Sequence, residues 1–437
     1  MNAWLRKAVL GTARQTLGRL PRSRARLTGP LAVNGGKPVR DQRLRPWPSG
    51  HDATLREWVL QVEPAFRRIF LAGVEGLPQT RQRAFAERWA AYCQCRHALL
   101  LPHGTDALRI ALAAVLDHDG LDYGGEVIVP NLSFIASATA PLDRRFGIVL
   151  VDVERGTLNL DPRRVEEAIV PGKTRAILPV HQFGQPADMT ALTALARKHQ
   201  LVVIEDAAQA HGAEWESGPV GSLGEAAAFS FQSAKNLSSG EGGILTTNDT
   251  GVFKRAHAIH NAGRAPELGA RWEHPSLGWN IRPTEYQAAL LMHRFARFPA
   301  QQAERAVNFQ ALRALLAGAK SVRPLDTHPS VRKHGMYMFV MRYQAEACGG
   351  LPIDAFVDAV KAEGVPMHRG YAATIAQQPV MQALMQRRPE YVRAMPTPVA
   401  DQAATEIVYI AGSTFLGTEA DMADIAAAIR KVEHHRA

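Results

Sequence analysis

The sequence predicts an α/β protein: a mostly parallel sheet in a large domain, followed by a smaller C-terminal α+β domain. Three observations support this. Between residues 80 and 250, short apolar and β-branched runs alternate with helical stretches, the pattern of a parallel sheet covered on both faces. Past residue 300 the alternation gives way to long amphipathic helices around an alternating strand. The chain also has 437 residues, 46% hydrophobic and 21% charged, enough for two or three domains and for buried cores without disulfide or metal staples.

The elements follow in order. Residues 83–92 read as a helix, and a loop at 102–105 opens a second helix at 107–116. A short buried strand is expected at 126–130, a helix or helix-like connection at 135–146, and a strand at 148–152. Residues 162–169 are helical, 176–180 a strand, 189–199 a helix and 201–206 a strand. Two more strands are expected at 227–231 and 243–247. Farther on come a long helix at 302–317, a strand at 334–343, and helices at 353–363 and 419–432. The expected domains are a basic extension over 1–28, a large domain over 29–300 and a small domain over 301–437.

Charge is concentrated at one end. The formal net charge is +10, but residues 1–30 hold seven bases and no acid, leaving 44 bases against 41 acids elsewhere. The body therefore does not read as a nucleic-acid binder. Leu5, Val9, Ala13, Leu17 and Leu20 fall at helical spacing in the tail, suited to an amphipathic helix or to a loosely packed extension. Arg6 and Lys7 interrupt its apolar part, so it is a poor secretory signal. No uninterrupted run of 18 apolar residues exists to span a membrane. Cys93, Cys95 and Cys348 form no disulfide framework or zinc-ligand spacing, and are expected as reduced thiols of a cytoplasmic protein.

The chemistry begins at Val203-Ile204-Glu205-Asp206-Ala207-Ala208-Gln209. An acid at the carboxyl end of a buried strand sits where ligands bind in open α/β sheets, although an Asp there can also cap a following helix. Farther on, Phe229-Ser230-Phe231-Gln232-Ser233-Ala234-Lys235-Asn236 places a lysine after an apolar strand and before a glycine-dense turn. Most lysines are solvated. One held in such surroundings can lose its proton and condense with an aldehyde, and the cofactor that uses this is pyridoxal 5′-phosphate. That cofactor needs a phosphate cradle. His103-Gly104-Thr105-Asp106-Ala107 offers one, with a close-approach glycine and free amides at a helix start. Phe134, just past a strand end, is placed to stack on a flat ring or to pack in the core.

In conjunction these motifs resemble the DegT-type (DegT/DnrJ/StrS) aminotransferases, pyridoxal-phosphate enzymes that aminate keto-sugars and keto-cyclitols. The resemblance runs from Leu31-Ala32-Val33-Asn34-Gly35-Gly36-Lys37-Pro38 to near the C-terminus. It includes Pro179-Val180-His181-Gln182-Phe183-Gly184-Gln185-Pro186 and Gly278-Trp279-Asn280-Ile281-Arg282-Pro283-Thr284. It implies the type I fold of pyridoxal-phosphate transferases, as in aspartate aminotransferase. It assigns Lys235 as the cofactor-bonding lysine, Asp206 as the partner of the pyridine nitrogen and Gln209 as the partner of the phenolic oxygen. Gly104, Thr105 and Ser230 become phosphate ligands, and Phe134 the stacking aromatic. Asn280 becomes a phosphate contact donated by a neighbouring subunit, which implies a homodimer with shared sites. His181, at a strand end near the presumed pocket, is a further candidate for a catalytic or substrate role. His103 departs from the small polar residue or Asn usual in the family.

The expected partners are small molecules, an amino donor (glutamate or glutamine) and a keto acceptor, with no nucleic acid and no metal. Phe231-Gln232 and Ser239-Gly240-Glu241-Gly242-Gly243 resemble the keto-cyclitol and aminobenzoate-forming branch of the family, which leans the acceptor towards a cyclitol or unusual sugar ketone. A dehydrating or aromatising enzyme of the aminobenzoate-forming type, and a non-catalytic regulator on the same fold, are the competing readings.

Overall fold

The computed structural model describes residues 29–42, 47–50, 55–74, 79–264 and 273–436. The tail helix expected within 1–28, and part of the run between Arg264 and Trp279, lie outside the described residues. Strands β1 (His97–Leu101), β2 (Glu126–Pro130), β3 (Gly147–Val151), β4 (Thr174–Ile177) and β5 (Val202–Asp206) come first. A small turn pair, β6 (Glu214–Trp215) and β7 (Gly218–Pro219), precedes β8 (Ala226–Ser230) and β9 (Gly243–Thr247). The second half carries β10 (Val322–Pro324), β11 (Val331–Lys333), β12 (Met338–Tyr343), β13 (Met367–Arg369), β14 (Val392–Ala394) and β15 (Ile407–Ala411).

The central sheet has eight strands in the order β1-β9-β8-β5-β4-β2-β3-β14. From β8 to β14 every pairing is parallel, and β9 alone is reversed, antiparallel to both β8 and β1. Strands β2, β3 and β8 are buried along their whole length. Helices cover both faces, so these strands carry no polar-out alternation. Two strands of this sheet escape the sequence expectation. β1 is the aliphatic run Leu99-Leu100-Leu101 with no β-branched residue. β14 is a three-residue strand from far down the chain that pairs with β3.

The small domain packs the helices Phe298–Leu315, Ile353–Ala362 and Glu419–Arg436 on a four-stranded sheet, β10-β12-β15-β13. Phe339, Met341, Phe356, Ile410, Ile425 and Ile429 form its core. Segments from both halves of the chain contribute to each core. Leu31 and Val39 belong to the small-domain core. The backbone N–H groups of Ala32 and Val39 donate to the Glu363 carboxylate at 2.8 and 3.1 Å, and Lys431 pairs with the same group at 2.8 Å. A carboxylate buried in that core requires such donors, and the N-terminal segment supplies them. In the other direction, Val392 and Met381 pack in the core of the large sheet.

Candidate active site

Asp206 ends β5 at the carboxyl edge of the sheet, beside the end of β8. It is buried. Its Oδ2 accepts from the Ser137 hydroxyl at 2.7 Å and its Oδ1 from the backbone N–H of Ala208 at 3.1 Å. Ser137 is held in turn by Ser133 at 2.9 Å. Burial pushes the Asp206 carboxyl above the usual aspartate range, while these hydrogen bonds and the nearby Lys235 pull it down. The group is a desolvated acceptor poised for a cationic partner. Ser137 carries no sequence signal of its own, because it sits on the helix Ala136–Asp143 rather than at a strand end.

Lys235 lies in the turn after β8, five residues beyond Ser230. Burial brings its amine down from 10.5 to about 8, against the opposing pull of Asp206. Burial thereby favours the neutral form that an aldehyde-condensing amine requires. Its Nζ lies 3.3 Å from the Tyr337 hydroxyl and 4.4 Å from the centre of that ring.

The helix Gly104–Leu116 starts at the same edge. Its apolar face, including Ala107, Leu108, Ala111 and Leu112, is buried in the large core, which fixes where its N-terminus points. A Cβ on Gly104 would stand 2.7 Å from the Ser230 Cβ, and one on Gly243 would stand 2.2 Å from the His103 carbonyl oxygen. Glycine at both positions lets the loop lie against Ser230. The first amides of the helix have no intrahelical acceptor, and Thr105 is exposed at this end, giving donors and a favourable dipole for an anion. His211 braces the floor. Its Nε2 donates to the Ser230 carbonyl at 2.8 Å, and burial, with Lys235 nearby, pushes it down to about 3, so it is neutral.

Gln209 is tied on both sides. Its Oε1 accepts from the backbone N–H of Phe183 at 2.8 Å, and its Nε2 donates to the Tyr371 hydroxyl at 3.1 Å. The second hydrogen on Nε2 remains for a ligand oxygen. Phe134 is 61% exposed and lies three residues before Ser137, so it is a surface ring rather than a core residue.

Asn280 is not brought to the others within this chain. It is exposed, and its strand-like segment is laced to the end of the helix Thr250–His260 through Trp279 N–H to Ile259 (2.7 Å) and Ile281 N–H to His260 (3.0 Å). It does not cap the next helix. Thr284 does, in a reciprocal capping box with Gln287.

His181 is corrected by the structure. It is fully buried. Its Nδ1 accepts from the Ala187 N–H at 3.0 Å, so its proton sits on Nε2 and goes to Glu205 at 3.0 Å. Neither ring nitrogen is left for a substrate. The reason is strand alternation: Glu205 and Asp206 point to opposite faces of β5, and His181 is on the face of Glu205. It braces the 181–187 turn instead.

A buried acid, a depressed lysine and an anion cradle share one edge of the sheet, and together they fit a flat cofactor with a ring nitrogen, an aldehyde and a phosphate. Comparison with known proteins agrees. Residues 76–430 match the DegT/DnrJ/EryC1/StrS aminotransferase family. The chain belongs to this family. It is 35% identical over 424 residues to a putative L-glutamine:3-amino-2,3-dideoxy-scyllo-inosose aminotransferase of Streptoalloteichus tenebrarius, covering 94% of this chain and 99% of that protein. It is also 35% identical over 425 residues to an L-glutamine:2-deoxy-scyllo-inosose aminotransferase of the same organism, covering 93% and 98%. Among solved structures it resembles 3-amino-5-hydroxybenzoic acid synthase, with TM-score 0.76, 29% identity, and coverage of 89% and 98%. The protein is thus a pyridoxal-phosphate-dependent aminotransferase with the type I fold. Among the described residues, no group of side chains could hold a metal ion and no helix is long and apolar enough to cross a membrane.

Proposed function

We propose that this aminotransferase moves the α-amino group of glutamine to the keto carbon of a cyclitol related to scyllo-inosose, in the cytoplasm. The observation that carries the acceptor and donor is the full-length similarity to two relatives named for glutamine and inosose substrates. The three free thiols are in keeping with a reducing compartment.

Pyridoxal phosphate, when bound, supplies an electron sink for the negative charge that develops at the substrate carbon. The chain's residues do the rest. Asp206 would pair with the ring nitrogen and favour its protonated form. The amides of the helix at Gly104, together with Thr105 and Ser230, would hold the phosphate. Gln209 would give its second Nε2 hydrogen to the phenolic oxygen, and Phe134 would stack on the ring. Lys235 would bond the aldehyde, and its free amine would carry the proton that leaves the substrate carbon. In balance, the ketone becomes an amine and glutamine its 2-oxo acid.

The active unit is a homodimer in this reading. Phe134, Leu277 and Trp279 are exposed, and so is Asn280, next to Trp279 in sequence and free of any capping duty; in this reading a second copy would cover them, and its Asn280 would complete the phosphate site. Incubating the holoenzyme with glutamine or glutamate and a panel of cyclitol ketones and nucleotide-linked ketosugars tests the substrate assignment. An aminocyclitol identified by mass spectrometry is the expected product. Turnover confined to nucleotide-linked ketosugars, or an aromatic product, would overturn it.

A further inference from the structure

The catalytic lysine is gripped from the small domain, and the grip has two points. Tyr337 stands immediately before β12, with its hydroxyl at the Lys235 amine. The neighbour of the lysine, Asn236, is buried, and its Nδ2 donates to the carbonyls of Gly335 (2.9 Å) and Met336 (3.0 Å), the two residues before the tyrosine. The Tyr337 backbone is itself fixed. Its carbonyl accepts from the Gly412 N–H at 2.7 Å, and Gly335 donates to the Gly184 carbonyl at 2.6 Å. Met336 adopts the left-handed conformation, with φ of 53°. A non-glycine residue holds that conformation only where its surroundings over-determine it. Residues 235–236 of the large domain and 335–337 of the small domain therefore form one register.

We propose that Tyr337 is a positioning residue for the Lys235 amine, and that Asn236 sets its reach by locking the 335–337 segment to the residue next to the lysine. The hydroxyl oxygen accepts from the protonated amine, and the ring face below it also favours the cation. The groups facing this amine are Asp206 from β5, His211, which is neutral, and Tyr337, which burial pushes up to about 12 and keeps un-ionised. Tyr371 is within electrostatic reach of both Asp206 and Tyr337. Losing the Tyr337 hydroxyl removes support for the charged amine only, so the amine should titrate lower. The freed amine should also wander from the line of proton transfer.

The inference rests on Lys235 being the cofactor-bonding lysine. Its test needs no keto acceptor, so its failure is separate from failure of the substrate assignment. Load the enzyme with pyridoxamine 5′-phosphate, which leaves Lys235 unbonded. Measure acetic anhydride labelling of Lys235 against pH by peptide mapping. Wild type should show a midpoint near 8. Tyr337→Phe should lower it by about one unit, as for loss of a charge-assisted hydrogen bond. Tyr371→Phe, which touches Gln209 instead, should leave the midpoint in place. An unchanged midpoint in Tyr337→Phe, or an equal shift in both variants, would overturn the proposal. If Tyr337→Phe does not fold, Asn236→Ser should shift the midpoint in the same direction, and its failure to do so would count equally against it.

Discussion

The two sides of the active site are built differently. On the large-domain side, Asp206, Ser230 and Gly104 sit at the ends of sheet strands or at the helix start facing them, and their positions follow from the sheet. On the other side, Tyr337 and Tyr371 reach in from the small domain, held by backbone bonds to residues far away in sequence. The first side supplies charge and an anion cradle from rigid elements. The second side contacts the amine of Lys235 through Tyr337 and the amide of Gln209 through Tyr371. The candidate cofactor ligands sit at the sheet, whereas the contact made by the Lys235 amine depends on how residues 335–337 pack against it.

The largest expected effect tests the first side. Lys235→Ala should lower transamination by about 10⁴-fold, because among the described residues no second lysine acts on Asp206 to form the bond or carry the proton. Near-wild-type turnover in a steady-state assay would remove Lys235 from its role. Mixed dimers test whether a second chain completes the first side. Subunits carrying Asn280→Asp, combined with subunits carrying Lys235→Ala, should regain about one wild-type site per heterodimer if sites are shared. Little regained activity would mean that each chain builds its own site.

A smaller effect separates bracing from chemistry on the first side. His181→Asn should lower stability by about 1–3 kcal/mol in denaturant unfolding, by leaving Glu205 and the Ala187 amide short of partners. Turnover per folded, cofactor-loaded site should change little, whereas a large fall in kcat at full cofactor loading would return His181 to the chemistry. Smallest of all, removing residues 1–28 should leave cofactor absorbance and turnover within about twofold, since the described site draws on residues from Gly104 onward. Loss of cofactor binding would show that the tail packs on the site.

The sequence was most informative where local pattern and position coincide. The strands at 126–130 and 243–247 have the expected bounds, because continuous apolar runs flanked by turns admit little slippage. Lys235, Asp206 and the Gly104 loop could be picked out because each follows or precedes such an element. His181 shows the limit. Nearness to a strand end says nothing about which face a side chain takes, and its partner Glu205 is one residue out of phase with Asp206. Ser137, Tyr337 and Tyr371 were missed for a related reason: hydroxyls on a helix, before a strand and after a strand have no spacing signature. Only the packing of β12 and β13 against the large domain brings the two tyrosines to Lys235 and Gln209. β14 and the Leu31–Val39 segment escaped in the same way, as short pieces whose partners lie at the opposite end of the chain.

Following the nitrogen itself tests the central claim most directly. Glutamine labelled with heavy nitrogen only at its α-amino group should be incubated with the holoenzyme and a scyllo-inosose-type ketone, and the product examined by mass spectrometry. The account predicts one heavy nitrogen in an aminocyclitol and the unlabelled 2-oxo acid of glutamine in equal amount. An unlabelled product, or labelled glutamine left intact while the ketone is dehydrated or aromatised, would contradict it.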